Sequence, residues 1–377
     1  MNIEKTLYSF HNIKKDKIIM RENLKSKRNK LKEKEPGNIE KLFLNYTDKY
    51  EKIDLDWDNE VGKEIWYNDE EKIVQNSLIK GRVKMENTLN TLKYGNVEIG
   101  VLSKGAELSS YKVDGKEFMW DRQPEFWATS SPVLFPFVGV IKDGKYVFEG
   151  KDYEITTRHG FARNNDFDLV EKGENFLKFK FSSNEETLEK YPFEFDFFLI
   201  YTITDNGLEI KYEVLNKTKG DMYFSLGAHP AFALELNNDI KLEDYYLEFE
   251  KNETAQIYQL SNDALILEEK KDYLKNEKII KLSGTIFDND AIIFENLNSA
   301  KVTLKCSKST RELSMDYSKF PFIAFWSKSK APFVCIEPWF GISDFANCTG
   351  KLEEKKGIMK LKENDIFTAK IIINGKL

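Results

Sequence analysis

The sequence has few of the residues on which metal and redox sites depend. Only three histidines and three cysteines occur among 377 residues, and no glycine-rich phosphate loop is found. The cysteines, Cys306, Cys335 and Cys348, are odd in number and match no zinc-binding spacing. We therefore expect reduced thiols packed in a core, as in proteins of a reducing compartment.

Long apolar runs are also absent. The first residues are charged from Glu4 onward, without the apolar centre of a secretory signal, and no later run is long enough to cross a bilayer. The formal net charge of -6 argues against a nucleic-acid partner, because duplex binding needs a concentrated positive surface. The sequence thus predicts a cytoplasmic protein with no membrane and no nucleic-acid partner.

Aromatic residues are plentiful, with 28 Phe and 17 Tyr, and this composition favours strands. From about Thr88 the apolar residues recur with the two-residue period of a half-buried strand, as in "FLKFKF". The stretch 193–214 shows that period on both sides of Asp205-Asn206-Gly207, which predicts a hairpin. Further strands are predicted at "YYLEFE", "AKVTLKC", "FIAFW" and "FTAKIIING", and no long helical period follows Lys84.

The first part of the chain differs from the rest. Residues 1–84 are polar, with helical spacing in Ile39, Leu42, Phe43 and Tyr46 and again in "EEKIVQNSLI". We predict that residues 1–84 form a mostly helical or disordered extension of unknown role. Residues 85–377 are predicted to form one large antiparallel β-sandwich domain, of all-β class.

Three short segments interrupt the strand pattern in the same way. "RHGFAR" (158–163), "GAHPAF" (227–232) and "VCIEPWFG" (334–341) each place one titratable side chain beside glycine or proline and aromatic rings. These side chains are His159, His229 and Glu337. A histidine titrates near neutrality and a glutamate at the end of a buried strand can accept a proton, so the set suits general acid and base catalysis. Each residue alone is also compatible with simple packing.

The same segments, in this order and preceded by "SPVLFPFVG" (131–139), resemble the aldose 1-epimerase family, and especially its LacX-like branch. "KGAELSSYK" (104–112) and "FDNDAIIF" (287–294) extend the resemblance from about Met85 to the C-terminus. It implies a galactose-mutarotase-like β-supersandwich that interconverts the α and β anomers of a free hexose. It also implies a small-molecule sugar as partner, with no cofactor and no metal; the oligomeric state stays open.

The resemblance further assigns roles to the residues. It implies that Glu337 is the base, that His229 is the acid, and that His159 hydrogen-bonds the sugar and shares the acid's work. Trp339 and Phe340 are candidate platforms for the apolar face of a sugar, with core packing as the alternative.

One position departs from the family pattern. Relatives have an arginine after the "LFPFVG" glycine, where this sequence has Val140. We predict that Lys142, two residues later and on the same strand face, substitutes for it. Asp290 is a candidate hydroxyl ligand or a turn residue, and Arg163 is a candidate for orienting the site or for a structural ion pair.

Two other functions remain open. A hexose-6-phosphate 1-epimerase would need a basic cluster at the cleft, for which Arg158, Arg163 and Lys142 are the candidates near these motifs. A non-catalytic sugar-binding protein on the same fold would be consistent with Val140. A glycosidase is disfavoured because it needs a second, opposed carboxylate.

Overall fold

A computed structural model describes residues 87–377 of the chain. The predicted extension, its two helical segments and its boundary after residue 84 lie outside the described residues. Within residues 87–377, no helix is long and apolar enough to cross a membrane.

The regular secondary structure of the described chain is almost entirely β-strand, which confirms the predicted all-β class. The single α-helix of this part is α1 (Glu185–Lys190), and the rest of its helical structure consists of short 3-10 turns. The first twelve strands are β1 (Leu89–Tyr94), β2 (Val97–Leu102), β3 (Leu108–Val113), β4 (Lys116–Glu117), β5 (Val133–Leu134), β6 (Lys145–Phe148), β7 (Lys151–Glu154), β8 (Asp168–Lys172), β9 (Phe176–Ser182), β10 (Phe195–Thr204), β11 (Gly207–Asn216) and β12 (Met222–Phe224). The remaining strands are β13 (Leu226–Ala228), β14 (Ala231–Ala233), β15 (Tyr245–Leu260), β16 (Ile266–Lys281), β17 (Ile292–Glu295), β18 (Lys301–Cys306), β19 (Glu312–Asp316), β20 (Phe322–Trp326), β21 (Phe333–Phe340), β22 (Met359–Leu361) and β23 (Ile366–Lys376).

Fifteen of these strands join in one antiparallel sheet. Its order is β5-β13-β21-β20-β17-β15-β18-β19-β23-β11-β10-β9-β8, and β14 adds to β21 while β16 adds to β15. Smaller sheets are formed by β1 to β4, by β6 with β7, and by β12 with β22. Strand β21 therefore has three partners, β13 and β14 on one side and β20 on the other.

The predicted hairpin is confirmed by β10 and β11. Thr204 pairs with Gly207, so Asp205 and Asn206 form a two-residue loop. Gly207 has φ +112, and a Cβ at this position would collide with the carbonyl oxygen of Ile373, so only glycine fits. The alternating residues of β10 are buried on one face, which explains why the period was readable in the sequence.

Strand β16 was not predicted. The sequence predicted a strand at residues 245–250, whereas β15 and β16 each run for sixteen residues. Most of β16 is charged and exposed, and its buried residues are only Ile266, Leu274 and Ile280. Backbone pairing with β15 and cross-strand ion pairs such as Lys278 with Glu248 (2.7 Å) hold it in place, and neither leaves an apolar period in the sequence.

An aromatic core anchors the loops that lead to the histidines. Phe135 packs on Phe195 and Phe197, with ring centroids 4.9 and 4.7 Å away. Its carbonyl oxygen accepts hydrogen bonds from the backbone N–H groups of Phe161 and Ala162, both at 3.0 Å. The segment 158–163 is thus tied by its backbone to a ring buried in the main core.

Glu295, the last residue of β17, joins three parts of the sheet region. Its carboxylate accepts hydrogen bonds from the Tyr258 hydroxyl (2.6 Å) and the Lys270 ammonium (2.8 Å), and it pairs with Lys356 (2.7 Å). Partial burial raises the pKa of Glu295, but the hydrogen bonds from Lys270, Lys356 and Tyr258 outweigh it and bring the pKa down to about 2. The contact joins β15, β16 and β17 to the segment after β21.

We predict that Glu295→Gln lowers the unfolding free energy at pH 7 by about 1–2 kcal/mol, because two ammonium groups lose their anionic partner. The pKa of Glu295 in the folded protein, about 2, lies below its ordinary value of 4.5. Its stabilisation is therefore present above pH 4.5 and is lost as the pH falls toward 2. Urea unfolding of wild type and variant across this range should show the two curves converging.

Glu354→Gln is the control, since the exposed Glu354 carboxylate also accepts hydrogen bonds from a hydroxyl and an ammonium, those of Thr349 and Lys351. We expect no measurable change for it. Equal stability of Glu295→Gln and wild type at pH 7 would refute the structural role given to this carboxylate.

Candidate functional site

Glu337 lies within β21, with strands on both sides, and not at the end of a strand as the sequence suggested. Its neighbours across the strand pair are Ala324 of β20 on one side and the break between β13 and β14 on the other. The side chain is only 1% exposed. A carboxylate at this depth needs a polar partner, because burial without one is costly.

His229 provides that partner. Gly227 pairs with Trp339 and Ala231 pairs with Cys335, so the register places residue 229 opposite Glu337. Pro230 interrupts the strand here, and its carbonyl oxygen still accepts a hydrogen bond from the Ile336 N–H (3.1 Å). The Nε2 atom of His229 lies 3.2 Å from Oε2 of Glu337, with both side chains buried.

Two tryptophans fix the orientation of the His229 ring. Trp127 stacks on it, with ring centroids 4.9 Å apart and an interplanar angle of 28°. Trp326 meets it edge-on at 5.9 Å. Neither tryptophan was predicted as a site residue, because neither lies within the motifs that contain the histidines.

His159 lies beside this pair, in a turn before the 3-10 helix at Ala162–Asn164. Its backbone has φ +67, and its ring centroid is 5.6 Å from that of His229. The Gly139 N–H donates a hydrogen bond to Nδ1 of His159 (3.0 Å), and the His159 N–H donates to the Gly139 carbonyl (2.8 Å). Since Nδ1 is an acceptor, the neutral ring carries its proton on Nε2 and presents a donor.

Gly139 is held in turn by the segment that follows β21. Its φ is +74, and a Cβ would lie 2.7 Å from the Ser343 backbone nitrogen and collide with the Ser343 hydroxyl. The next residue, Val140, donates its N–H to Ser343 Oγ (3.0 Å) and accepts from the Asp344 N–H (2.9 Å). The loop that carries His159's backbone partner is therefore packed directly against residues 343–344.

The prediction that Lys142 lies on a strand face is wrong. Residues 140–142 are outside any strand, and Lys142 begins a 3-10 turn in which Asp143 has φ +56. The two-residue alternation of a strand does not apply at Lys142, because the left-handed turn at Gly139 ends the extended backbone.

Asp344 connects this turn to a buried ion pair. Its Oδ2 accepts a hydrogen bond from the Lys142 N–H (2.9 Å), and its Oδ1 lies 2.7 Å from the Lys355 ammonium. Burial lowers the pKa of Lys355, while the Asp344 carboxylate opposes this by stabilising the charged ammonium.

Asp290 forms an ion pair with Arg158, the residue before His159. Its Oδ2 lies 3.5 Å from the Arg158 Nη2, and its Oδ1 accepts a hydrogen bond from the Ala291 N–H (2.7 Å). Both side chains are mostly buried, with 20% of Arg158 and 12% of Asp290 exposed. The sequence pointed to these two residues for separate reasons, and the fold brings them together.

Of the remaining predicted residues, Trp339 shares the face of β21 with Glu337, whereas Phe340 does not. Trp339 is buried, its ring is 6.4 Å from His159, and its indole N–H has no hydrogen-bond acceptor among residues 87–377. Phe340 packs on Phe320 and Phe367, at 4.5 and 5.1 Å, on the opposite face. Alternation along the strand explains the difference.

Arg163 is half-buried in the 3-10 helix, where its backbone packs against Gly105. Its role toward a sugar therefore stays a prediction.

The arrangement is suited to proton transfer. A buried carboxylate and an imidazole are in direct contact, and a second imidazole presents a donor next to them. One further side chain, the thiol of Cys335, lies close enough to His229 and Glu337 that the three could hold a metal ion.

Known proteins resemble this chain in sequence and in fold. The family model for aldose 1-epimerase matches residues 88–360. The chain is 35% identical over 266 residues to the chromosomal protein LacX of Lactococcus lactis subsp. lactis, an alignment that covers 68% of this chain and 89% of LacX.

Two solved structures are also similar. A galactose mutarotase related enzyme from Lactobacillus acidophilus has a TM-score of 0.74 at 33% identity and covers 77% of this chain and 98% of its own. A galactose mutarotase-like protein from Lactobacillus casei has a TM-score of 0.72 at 30% identity, covering 77% of this chain and 100% of its own. The resemblance inferred from the motifs and the fold that it implied are both confirmed.

We predict that Gly139→Ala destabilises the protein by about 1–3 kcal/mol more than Gly150→Ala, because a Cβ at residue 139 forces the backbone away from Ser343. Gly150 is a matched control: its φ is +76, close to the +74 of Gly139, but a Cβ there would meet nothing within 4 Å. Gly150→Ala should show only the left-handed strain of about 1–2 kcal/mol. Urea unfolding of both variants measures the difference in unfolding free energy. An equal decrease in both variants would contradict the close packing of Gly139, the backbone partner of His159, against Ser343.

Proposed function

The chain belongs to the aldose 1-epimerase family, in its LacX-like branch, and we propose that it is a mutarotase that interconverts the α and β anomers of a free hexose. The observation that carries this proposal is the buried contact between His229 and Glu337, 3.2 Å apart. Mutarotation needs one base and one acid at two oxygens, O1 and O5, that are bonded to the same carbon. Two groups in direct contact can reach both.

Ring opening uses Glu337 as the base and protonated His229 as the acid. Glu337 takes the proton of the C1 hydroxyl, and the electron pair of that O–H bond forms the C1=O double bond. The C1–O5 bond breaks, and O5 takes the bonding pair and a proton from His229. The products are the open-chain aldehyde, a protonated Glu337 and a neutral His229.

Ring closure reverses these roles after rotation about C1–C2. The O5 hydroxyl attacks the other face of the aldehyde and returns its proton to His229, while O1 recovers a proton from Glu337. The enzyme ends the cycle in its starting protonation state, so no net proton or electron is consumed. The low polarity around the pair strengthens these charge interactions.

Donors beside the pair position the sugar. His159 carries its proton on Nε2, which suits a hydrogen bond to O5 or a neighbouring hydroxyl. The buried Trp339 indole N–H offers a second donor on the same face of β21. The Arg158 and Asp290 pair presents a donor and an acceptor, a combination that matches adjacent hydroxyls.

The same ion pair favours a free hexose over a phosphosugar. A phosphate needs a cluster of cationic groups, but Arg158 is neutralised by Asp290. Lys142 lies in a 3-10 turn in which its backbone N–H is bound by Asp344, and Arg163 is half-buried in another 3-10 turn.

We predict that Glu337→Gln abolishes enzyme-accelerated anomerisation, and that His229→Asn lowers the rate by about 10²–10⁴-fold, because each removes a proton carrier. Polarimetry or NMR of freshly dissolved α-D-glucose and α-D-galactose measures the rate. Thermal unfolding verifies that each variant is folded, and the exposed-site variant Glu354→Gln should keep the wild-type rate. A wild type that binds sugars without accelerating anomerisation would favour the sugar-binding alternative and refute the mutarotase.

We predict that Asp290→Asn raises KM for a free hexose about tenfold with a smaller change in kcat, because one charge-assisted hydrogen bond to the substrate is lost.

The kcat/KM values of the wild type on a free hexose and on glucose 6-phosphate test the choice of substrate. If wild type has the higher kcat/KM on glucose 6-phosphate, the preference for a free hexose is wrong.

A further inference from the structure

Cys335 is a buried group that the acid and base chemistry does not use. It lies on β21 two residues before Glu337, so the two side chains share one face of the strand, and it is 0% exposed. It pairs with Ala231, two residues after His229. The thiol, an imidazole nitrogen of His229 and a carboxylate oxygen of Glu337 all lie within 4.8 Å of one another.

We propose that His229, Cys335 and Glu337 form a binding site for one thiophilic divalent cation of the Zn²⁺ class, and that the bound cation blocks the acid/base pair. The proposal that the cation binds depends only on the three ligands, whereas the proposal that it blocks catalysis rests on the function proposed above.

The geometry of the three groups approaches that of a zinc site. Imidazole and carboxylate ligands lie about 2.0–2.2 Å from zinc, so in a tetrahedral site their ligand atoms are about 3.3 Å apart. Nε2 of His229 and Oε2 of Glu337 are already 3.2 Å apart. A thiolate lies about 2.3 Å from zinc, so its sulfur should be about 3.6 Å from each of the other two ligand atoms. The three atoms lie within 4.8 Å of one another, so the sulfur needs to approach them by about 1.2 Å at most. Three protein ligands leave a fourth position for water.

Charge and ligand type select the cation. A thiolate and a carboxylate together carry two negative charges, which a divalent cation neutralises, and neutrality matters at a site where all three side chains are buried. Sulfur and imidazole ligands favour zinc or cobalt, whereas magnesium and calcium prefer oxygen ligands. Binding displaces the thiol proton to solvent, so the affinity should rise with pH.

The cation competes directly with protons. It would occupy the lone pairs of His229 and Glu337 that give and take protons during ring opening. Neither group could then act as acid or base, so a bound cation and turnover exclude each other.

The site is tested with Co²⁺ as a spectroscopic probe on EDTA-treated, full-length protein. We expect a thiolate-to-cobalt charge-transfer band in the near ultraviolet for wild type, its loss in Cys335→Ser, and its retention in Cys306→Ser and Cys348→Ser. Zn²⁺ should displace the cobalt, and Cys335→Ser should weaken zinc binding by at least about 100-fold, as expected for loss of a ligand. A wild type without the band overturns the site, whether or not Cys335→Ser folds, and so does a band lost only in Cys348→Ser or Cys306→Ser.

Activity tests the blocking separately. Zn²⁺ should inhibit anomerisation by wild type, EDTA should restore it, and Cys335→Ser should need at least about 100-fold more Zn²⁺ for the same inhibition. Full activity with the cation bound would overturn the blocking. Absence of anomerisation in the metal-free enzyme would overturn the proposed function alone, because the cobalt band reports on the site without any sugar.

Discussion

The backbone register between β21 and the two strands on either side of Pro230 is the constraint on which the site depends. Gly227 pairs with Trp339 and Ala231 with Cys335, and the Pro230 carbonyl keeps a hydrogen bond to Ile336 across the break. These bonds place the two residues opposite each other, and the tryptophans packed on His229 orient its ring, so that its Nε2 lies 3.2 Å from Oε2 of Glu337. A shift of the strand pairing by one residue would turn Glu337 to the opposite face of the sheet and separate it from His229.

A second set of contacts holds the backbone of His159 in place. The buried Lys355 ammonium forms an ion pair with Asp344. Asp344 in turn binds the backbone of Val140 and Lys142. The residue before Val140, Gly139, forms two hydrogen bonds with His159. Removing one member of a buried ion pair leaves an uncompensated charge, which is why such a pair can enforce one loop conformation. The left-handed backbone of Gly139 and of His159 persists because these surroundings determine it.

Burial gives the site its chemical character. His229 packs against Trp127 and Trp326. Glu337 lies on the same face of β21 as Cys335 and Trp339. In such surroundings a carboxylate and an imidazole interact more strongly than in water, which suits proton transfer. The proposed cation site uses the same surroundings, since Cys335 shares a face of β21 with Glu337 and lies close to His229. The proposed acid/base catalysis and the proposed cation binding would use the same lone pairs of His229 and Glu337.

The sequence by itself determined the all-β class, the hairpin of β10 and β11, and the three segments that contain His159, His229 and Glu337. It could do so because a two-residue period is local and because glycine and proline mark the places where strands end. Trp339 and Phe340 were both predicted to face the sugar, although the strand period places only Trp339 on the face of Glu337.

Only the tertiary structure decided which residues meet. The pairing of Arg158 with Asp290, the stacking of Trp127 on His229, the approach of Cys335 and the 3-10 turn at Lys142 all join or reorient segments far apart in the chain. The charged strand β16 likewise exists through its partner β15. Local patterns record the burial of a segment but not its partner, because strand register is fixed by long-range hydrogen bonds that leave no period in the sequence.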